Sequence, residues 1–158
     1  MRVLARFLLM LSMITWIGGI IFFGFVLAPT LFKLLTVNDA GNVVSRSLTV
    51  LHWMGIISAV VFLICSVLYS RIKLARAKVF SLTNVLMIVM LAFTLISQFG
   101  ISPRMRALRA EMHSADQRAA SDVAKAEFDR LHQWSTRLEG GVLVCGLIVV
   151  VLTARRFQ

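Results

Sequence analysis

The residues best suited to chemistry are three histidines and one carboxylate set against apolar sequence. His52 falls in Leu51-His52-Trp53, and His132 in Phe128-Asp129-Arg130-Leu131-His132-Gln133-Trp134-Ser135. His113 lies in the most polar stretch of the chain. Neutral imidazole ligates haem iron, copper or zinc. His52 and His132, on neighbouring helices, are therefore the candidate pair to clamp a haem or a copper ion. The plainer reading hydrogen-bonds each of them to Ser, Asp or water at a membrane interface. No Cys-x-x-Cys-His, His-x-x-x-His or Met-rich array strengthens the metal reading. The expected cofactor is none, with haem or copper as the alternative.

The carboxylate is Glu139. Lys125, Asp129, His132, Thr136 and Glu139 recur at alternating spacings of four and three, with Ser135 beside them. Such residues share one helical face, which brings Asp129 within reach of His132. Glu139 directly precedes Gly140–Ala154, an uncharged run. At ~1.5 Å per residue that run is about 22 Å long, short of the ~30 Å hydrocarbon core. The deficit draws Glu139 into the edge of the membrane, where an ionisable group must face the bundle and find a partner. The expected partners form a polar cluster of His52, Gln98, His132, Ser135 and Glu139 just below the outer surface. It would bind a ligand, a metal or a proton. In the competing reading Glu139 marks the water line.

The elements that must hold these residues follow from composition. Of 158 residues, 59% are hydrophobic and 15% charged. Soluble domains average ~45–50% apolar and ~25% charged, so a soluble enzyme, a disordered tail and a secreted disulfide scaffold are excluded. Cys65 and Cys145 sit alone within apolar runs. Phe7–Phe32, Ser47–Ser70 and Val79–Ser102 carry no formal charge, and each exceeds the ~20 residues of a spanning helix. Gly140–Ala154 completes a fourth span by borrowing from its flanks. Lipid leaves backbone groups no water to bond, so all four are expected as helices. The fold class is all-α: a polytopic membrane protein, one integral membrane domain over residues 1–158. It is a four-transmembrane-helix bundle with spans at about 5–30, 49–70, 79–101 and 135–154. A long outer helical connection, about 102–134, joins helices 3 and 4. Val26-Leu27-Ala28 before Pro29 is a poor cleavage site after so long an apolar run, so the first segment is expected to be retained. Pro29 marks its outer end or a kink there.

Arg2 and Arg6, then Arg71, Lys73, Arg76 and Lys78, then Arg155 and Arg156 share one side of this topology with no acid, while all 7 acids lie on the other. The net charge of +10 therefore speaks for membrane orientation rather than nucleic acid. Positive-inside bias puts both termini in the cytoplasm, in a cell (inner) membrane. Lys33, Ala40-Gly41 and Arg46 are placed in the first outer loop. Small residues let helices approach closely. The candidate packing faces are Ser12, Thr15 and Gly19 on helix 1, and His52, Gly55, Ala59, Phe62, Ser66 and Tyr69 on helix 2. On helix 3 the face is Asn84, Ile88, Leu91, Leu95 and Gln98. In the outer connection, Ala124, Phe128, Leu131, Ser135, Leu138 and Val142 form one stripe. It predicts a single long helix from about Ser121 to Thr153, capped by Ser121-Asp122 and packed on Ala28–Phe32 and Ile101–Met105.

Three motifs bear on family. They are Trp16-x-Gly18-Gly19-x-x-Phe22-Phe23 leading to Ala28-Pro29-x-x-Phe32; Ala40-Gly41; and Ser102-Pro103-Arg104-Met105 with Leu108-Arg109, then Phe128-x-x-Leu131-His132-x-x-Ser135. With them the sequence resembles the transmembrane-protein-205-like family of small four-helix membrane proteins. That resemblance implies four spans with motifs gathered toward one membrane face. It implies no settled chemistry. Where that family carries an amide after the His–Ser motif, this chain has Glu139.

Small size, absence of a catalytic motif and uninterrupted helices favour a non-enzymatic integral membrane protein, an accessory subunit of a larger membrane complex. Its expected partners are the lipid bilayer and other membrane subunits or a second copy of itself. A haem- or copper-dependent redox protein using His52 and His132 is the alternative. A small-solute or proton transporter working through Glu139, Gln98 and Asn84 ranks third, because broken helices and internal repeats, the usual marks of transporters, are not evident. No serine sits in a nucleophile elbow, so a hydrolase ranks last.

Overall fold

A computed structural model describes residues 2–74, 81–114 and 118–156. Among them the chain is helical almost throughout, in the order α1 (Arg2–Phe22), a π-helical turn π1 (Phe23–Leu27), α2 (Ala28–Leu34), α3 (Val37–Leu74), α4 (Leu82–Leu95), a second turn π2 (Ile96–Ile101), α5 (Ser102–Ser114) and α6 (Arg118–Arg156). Four of the resulting helices are long and apolar enough to cross a membrane: Val3–Leu34, Val37–Ser70, Leu82–Met112 and Asp122–Arg155. His113, Ser121 and the basic residues from Arg71 to Lys78 lie outside the residues whose side chains are described.

At ~1.5 Å per residue, the 38 residues of α3 and 39 of α6 make rods of almost 60 Å, about twice the hydrocarbon core. The half of each that runs beside α4 or α1 carries the apolar core, with Trp16, Phe62, Met87, Met90, Val142 and Val149 almost fully buried. Ile14, Ile57, Ile64, Val144 and Val151 are exposed on the outside of the same level, the surface a bilayer would cover. Glycines set the approach of the helices. A Cβ on Gly55 would stand 2.4 Å from the indole Nε1 of Trp16, and one on Gly146 would stand 2.9 Å from Ile17 Cδ1. The other halves of α3 and α6 project beyond this level with α2 and α5. We call that end outer, and the end bearing Arg2 and Arg156 inner.

Several expectations are corrected. The first outer loop is only a break at Leu35–Thr36, so Ala40, Gly41 and Arg46 are helical residues of α3. Thr36 explains the early start: its Oγ1 accepts from the Asp39 amide at 3.3 Å, capping the α3 N-terminus, and donates to Asp39 Oδ2 at 2.7 Å. The helix 3 face is rotated. Asn84, Met87, Met90, Thr94, Ser97 and Gln98 are buried, whereas Ile88 and Leu95 face outward. The helix 4 stripe faces inward, with Ala124, Ser135 and Val142 buried; α6 packs on α5, while α2 packs on α3.

Nor are the helices uninterrupted. Ala28 and Ser102, each directly before a proline, donate their amides to the carbonyls five residues back, Phe23 and Ser97. A proline ring in a regular α-helix clashes with the carbonyl four residues back. The wider π-turn relieves that clash ahead of Pro29 and Pro103, and the chain continues helical through both.

At the inner end, Arg6 donates to the Tyr69 hydroxyl from Nη2 at 2.9 Å, and its guanidinium lies 5.4 Å from the ring centroid. Ser66 Oγ donates to Asn84 Oδ1 at 2.8 Å, and Ser70 Oγ to the Ser66 carbonyl at 2.9 Å. Ser81 caps α4 by accepting from the Asn84 amide.

Candidate functional site

His52 lies on the inward stripe of α3, one helical turn outward of the Trp16–Gly55 contact. That stripe aims its imidazole between π2 and α6. Gln98 sits inside π2, and Glu139 lies on α6 where its apolar half begins. The Nδ1–H of His52 donates to Gln98 Oε1 at 2.8 Å, and Nε2 lies 2.6 Å from Glu139 Oε1. His52 is 1% exposed, Gln98 7% and the Glu139 side chain 19%, so the imidazole is sealed and the carboxylate keeps a narrow exposed edge. With Nδ1 already a donor, the short Nε2–Oε1 contact holds one proton. It lies on the ring as an imidazolium–carboxylate pair or on the acid as a neutral pair. The site is electrically neutral in both states, and that permits such groups to lie at the rim of an apolar bundle.

Aromatic residues mark the level. Trp53 and Phe99, each next in sequence to a site residue, meet edge to face with centroids 6.3 Å apart. Both are exposed, as is Trp134, whose ring carries the Arg137 guanidinium at 5.4 Å. Such a girdle belongs at a membrane–water interface. Glu139, five residues beyond Trp134, lies about 7 Å inward of that ring along α6, level with His52 and its neighbour Trp53.

The structure thus brings together His52, Gln98 and Glu139 from three helical segments. Ser135, one turn outward of Glu139, has its Oγ 3.4 Å from Ser97 Oγ, a buried hydroxyl that the sequence reading passed over. The signal was present: Thr94, Ser97, Gln98 and Ile101 share one helical face. His132 stands apart. It is exposed and stacks on Phe128 with centroids 6.3 Å apart and planes 5° from parallel; no hydrogen bond joins it to Asp129 among the described residues. A haem or copper ion held by His52 and His132 does not fit this arrangement, because both ring nitrogens of His52 are occupied by side chains and His132 faces elsewhere. Among the described residues no group of three or more His, Cys, Asp or Glu side chains is gathered as metal ligands.

The remaining motif residues divide by level. Ala28 is half-buried beyond π1, and Pro29, Phe32 and Pro103 are exposed. Ala40 and Leu108 are buried, and Phe128 packs beneath the Arg109 guanidinium, 5.3 Å from its ring centroid.

The sequence pattern of a domain of unknown function, DUF4149, matches residues 11–114. The chain belongs to this family. No curated protein and no solved structure matches it. The DUF4149 match runs from α1 through α5. It takes in His52 and Gln98; Glu139, Ser135 and His132 lie beyond it.

Proposed function

We propose that this DUF4149 protein is a small non-enzymatic protein of the cell (inner) membrane, with both termini in the cytoplasm. It works as an accessory subunit of a larger membrane assembly, and its family relationship extends to the transmembrane-protein-205-like proteins. In this reading the His52–Gln98–Glu139 line is a latch that ties α3, π2 and α6 together at the outer rim. The observation that carries it is the commitment of both His52 ring nitrogens to side chains of the same chain, at 2.8 and 2.6 Å. A ligand or a substrate proton would have to displace one of them.

The test uses full-length protein extracted in mild detergent. Native mass spectrometry is expected to find it in stoichiometric complex with another membrane subunit or a second copy, with no Soret absorption and no bound copper. A free monomer would remove the subunit role. A Soret band lost in His52→Ala would restore the redox alternative.

Transport of a proton or small solute gains one supporting observation: Gln98 lies in an interruption of a spanning helix, where π-turns often accompany function. Against it, Gln98 and Asn84 stand about 21 Å apart along the helix, with Met87 and Met90 buried between them.

A further inference from the structure

On the outer stretch of the first hairpin, the helix that runs from the end of α1 through π1 into α2 has two unlike sides. Phe23, Leu27 and Leu31, four residues apart, are half-buried, and this side meets α3, on which α2 packs. The rest of the circumference carries Phe22, Phe25, Val26 and Phe32, and Leu34 and Val37 flank the break between α2 and α3. These six side chains are 49–76% exposed. The outer parts of α5 and α6 expose the opposite chemistry, with Arg104, Arg106, Lys125, Asp129 and Arg130 on their surface. Phe22 and Phe32 belong to the first sequence motif, and the latch at His52 uses neither.

Lipid reaches only the lower part of this face. A Cβ on Gly19 would stand 2.9 Å from Leu51 Cδ1, so α1 passes the level of His52 near Gly19 and rises outward from there. Val37 precedes Trp53 by sixteen residues of α3, about 24 Å at ~1.5 Å per residue. Trp134 stands only about 7 Å outward of Trp53, and headgroups add roughly 5–8 Å to each side of the hydrocarbon core. Phe32, Leu34 and Val37 therefore stand beyond the headgroups. A contiguous apolar face at that height marks an interaction site.

Size and charge select the occupant. At roughly 200 Å² for a fully exposed phenylalanine and somewhat less for an aliphatic side chain, the six residues offer about 650 Å². Two such faces together bury about 1,300 Å², within the range of specific, stable interfaces. The charges beside the face are Lys33 and Asp39, both exposed, and neither belongs to an ion pair among the described residues. The chain reverses at Leu35–Thr36, so these two residues lie at nearly one height. A two-fold axis along the membrane normal preserves height and sets Lys33 of each copy against the partner's Asp39. The face thus complements itself. We propose that this DUF4149 protein forms a parallel two-fold dimer through the exposed face of π1–α2. The proposal rests on the subunit reading above and names the subunit's partner as a second copy of the chain.

The test uses full-length protein in native membranes and in mild detergent. Leu34→Cys is expected to give dimers with a flexible bis-maleimide. Val123→Cys, at a comparably exposed position on α6, and the parent, which keeps Cys65 and Cys145, are expected to give none. Phe32→Glu changes an exposed side chain and puts a charge into each half of the interface. It should weaken dimerisation roughly tenfold or more, read by native mass spectrometry over a dilution series, with circular dichroism checking that the variant is folded. Lys33→Glu should weaken the dimer, and adding Asp39→Lys should restore it. A stoichiometric complex with a different protein and no cross-link at position 34 refutes the dimer and leaves the subunit reading standing. A free monomer in both settings refutes both. If Leu34→Cys neither cross-links nor reacts with an impermeant thiol reagent, lipid covers the face and the dimer is refuted. A dimer that the folded Phe32→Glu variant forms as tightly as the parent refutes this face.

Discussion

At the outer rim, three polar side chains from three chain segments meet in one hydrogen-bonded line, Gln98–His52–Glu139. At the inner end, Arg6 bonds Tyr69 between α1 and α3, and Ser66 bonds Asn84 between α3 and α4. The outer line contains an ionisable pair with the imidazole almost fully buried, whereas the Ser66–Asn84 bond joins two neutral groups. The inner end also leaves the buried hydroxyl of Thr153 without a hydrogen-bond partner among the described residues. The contrast suggests how the two ends are secured. Close helix packing at Gly55 and Gly146 sets the spacing of the spans. The outer end must also align α6, which continues far beyond the membrane.

The comparison can be broken most directly at Glu139. Glu139→Ala strands a buried imidazole and should destabilise the bundle by about 3 kcal/mol, read as a lowered midpoint of denaturation in detergent micelles. Replacing both partners with leucine should recover most of that loss, and a double-mutant cycle isolates the coupling between them. If Glu139→Ala melts like the parent, the rim is no latch.

Gly55→Ala comes next. Its new Cβ would collide with Trp16, whose indole is rigid and 1% exposed, so α1 and α3 must separate next to His52. A loss of about 2 kcal/mol is expected. The same measurement on Gly18→Ala, where nothing lies within 4 Å, should show no loss.

Asn84→Ala removes the acceptor of the Ser66 hydroxyl and should be milder, about 1 kcal/mol, as polar contacts between membrane helices generally are. Tyr69→Phe, which deletes the phenol oxygen facing Arg6, should cost about 0.5 kcal/mol because that guanidinium can reach water at the chain end. Should Asn84→Ala exceed Glu139→Ala, the ranking of the two ends reverses.

Topology is checked separately. Val123, on the outer stretch of α6 and 71% exposed, is expected after substitution by cysteine to react with an impermeant thiol reagent added to intact cells. Labelling only after lysis would invert the orientation.

Much of this architecture was legible in the sequence. The uncharged runs located four spans, and the alternating stripe from Ala124 to Val142 announced the inward face of α6. The shortness of Gly140–Ala154 singled out Glu139, and the helix 2 stripe put His52 on the buried side. The rest escaped for physical reasons. Thr36 and Asp39 form a cap that extends α3 outward, but their polarity reads as loop. Ile88 and Leu95 are as apolar as buried residues because lipid accepts them, so hydrophobicity alone cannot orient a membrane helix. His132 carries the same chemistry as His52, and only the rotation of α6 turns it outward onto Phe128.

The π-turns add a consequence of phase. A π-turn acts as one surplus residue in a helical screw, and each residue advances the screw by about 100°. Removing Gly100, whose missing side chain has nothing within 4 Å, would return the segment to an ordinary winding. It would then swing everything downstream by roughly that angle. Arg106 and Arg109 would leave the α3 face, while α4 beneath them stayed in register. The surplus residue therefore acts as a gear offset between a lipid-facing shaft and a water-facing head. The same offset recurs ahead of Pro29, so both hairpins of the bundle have their outer ends indexed independently of their spans.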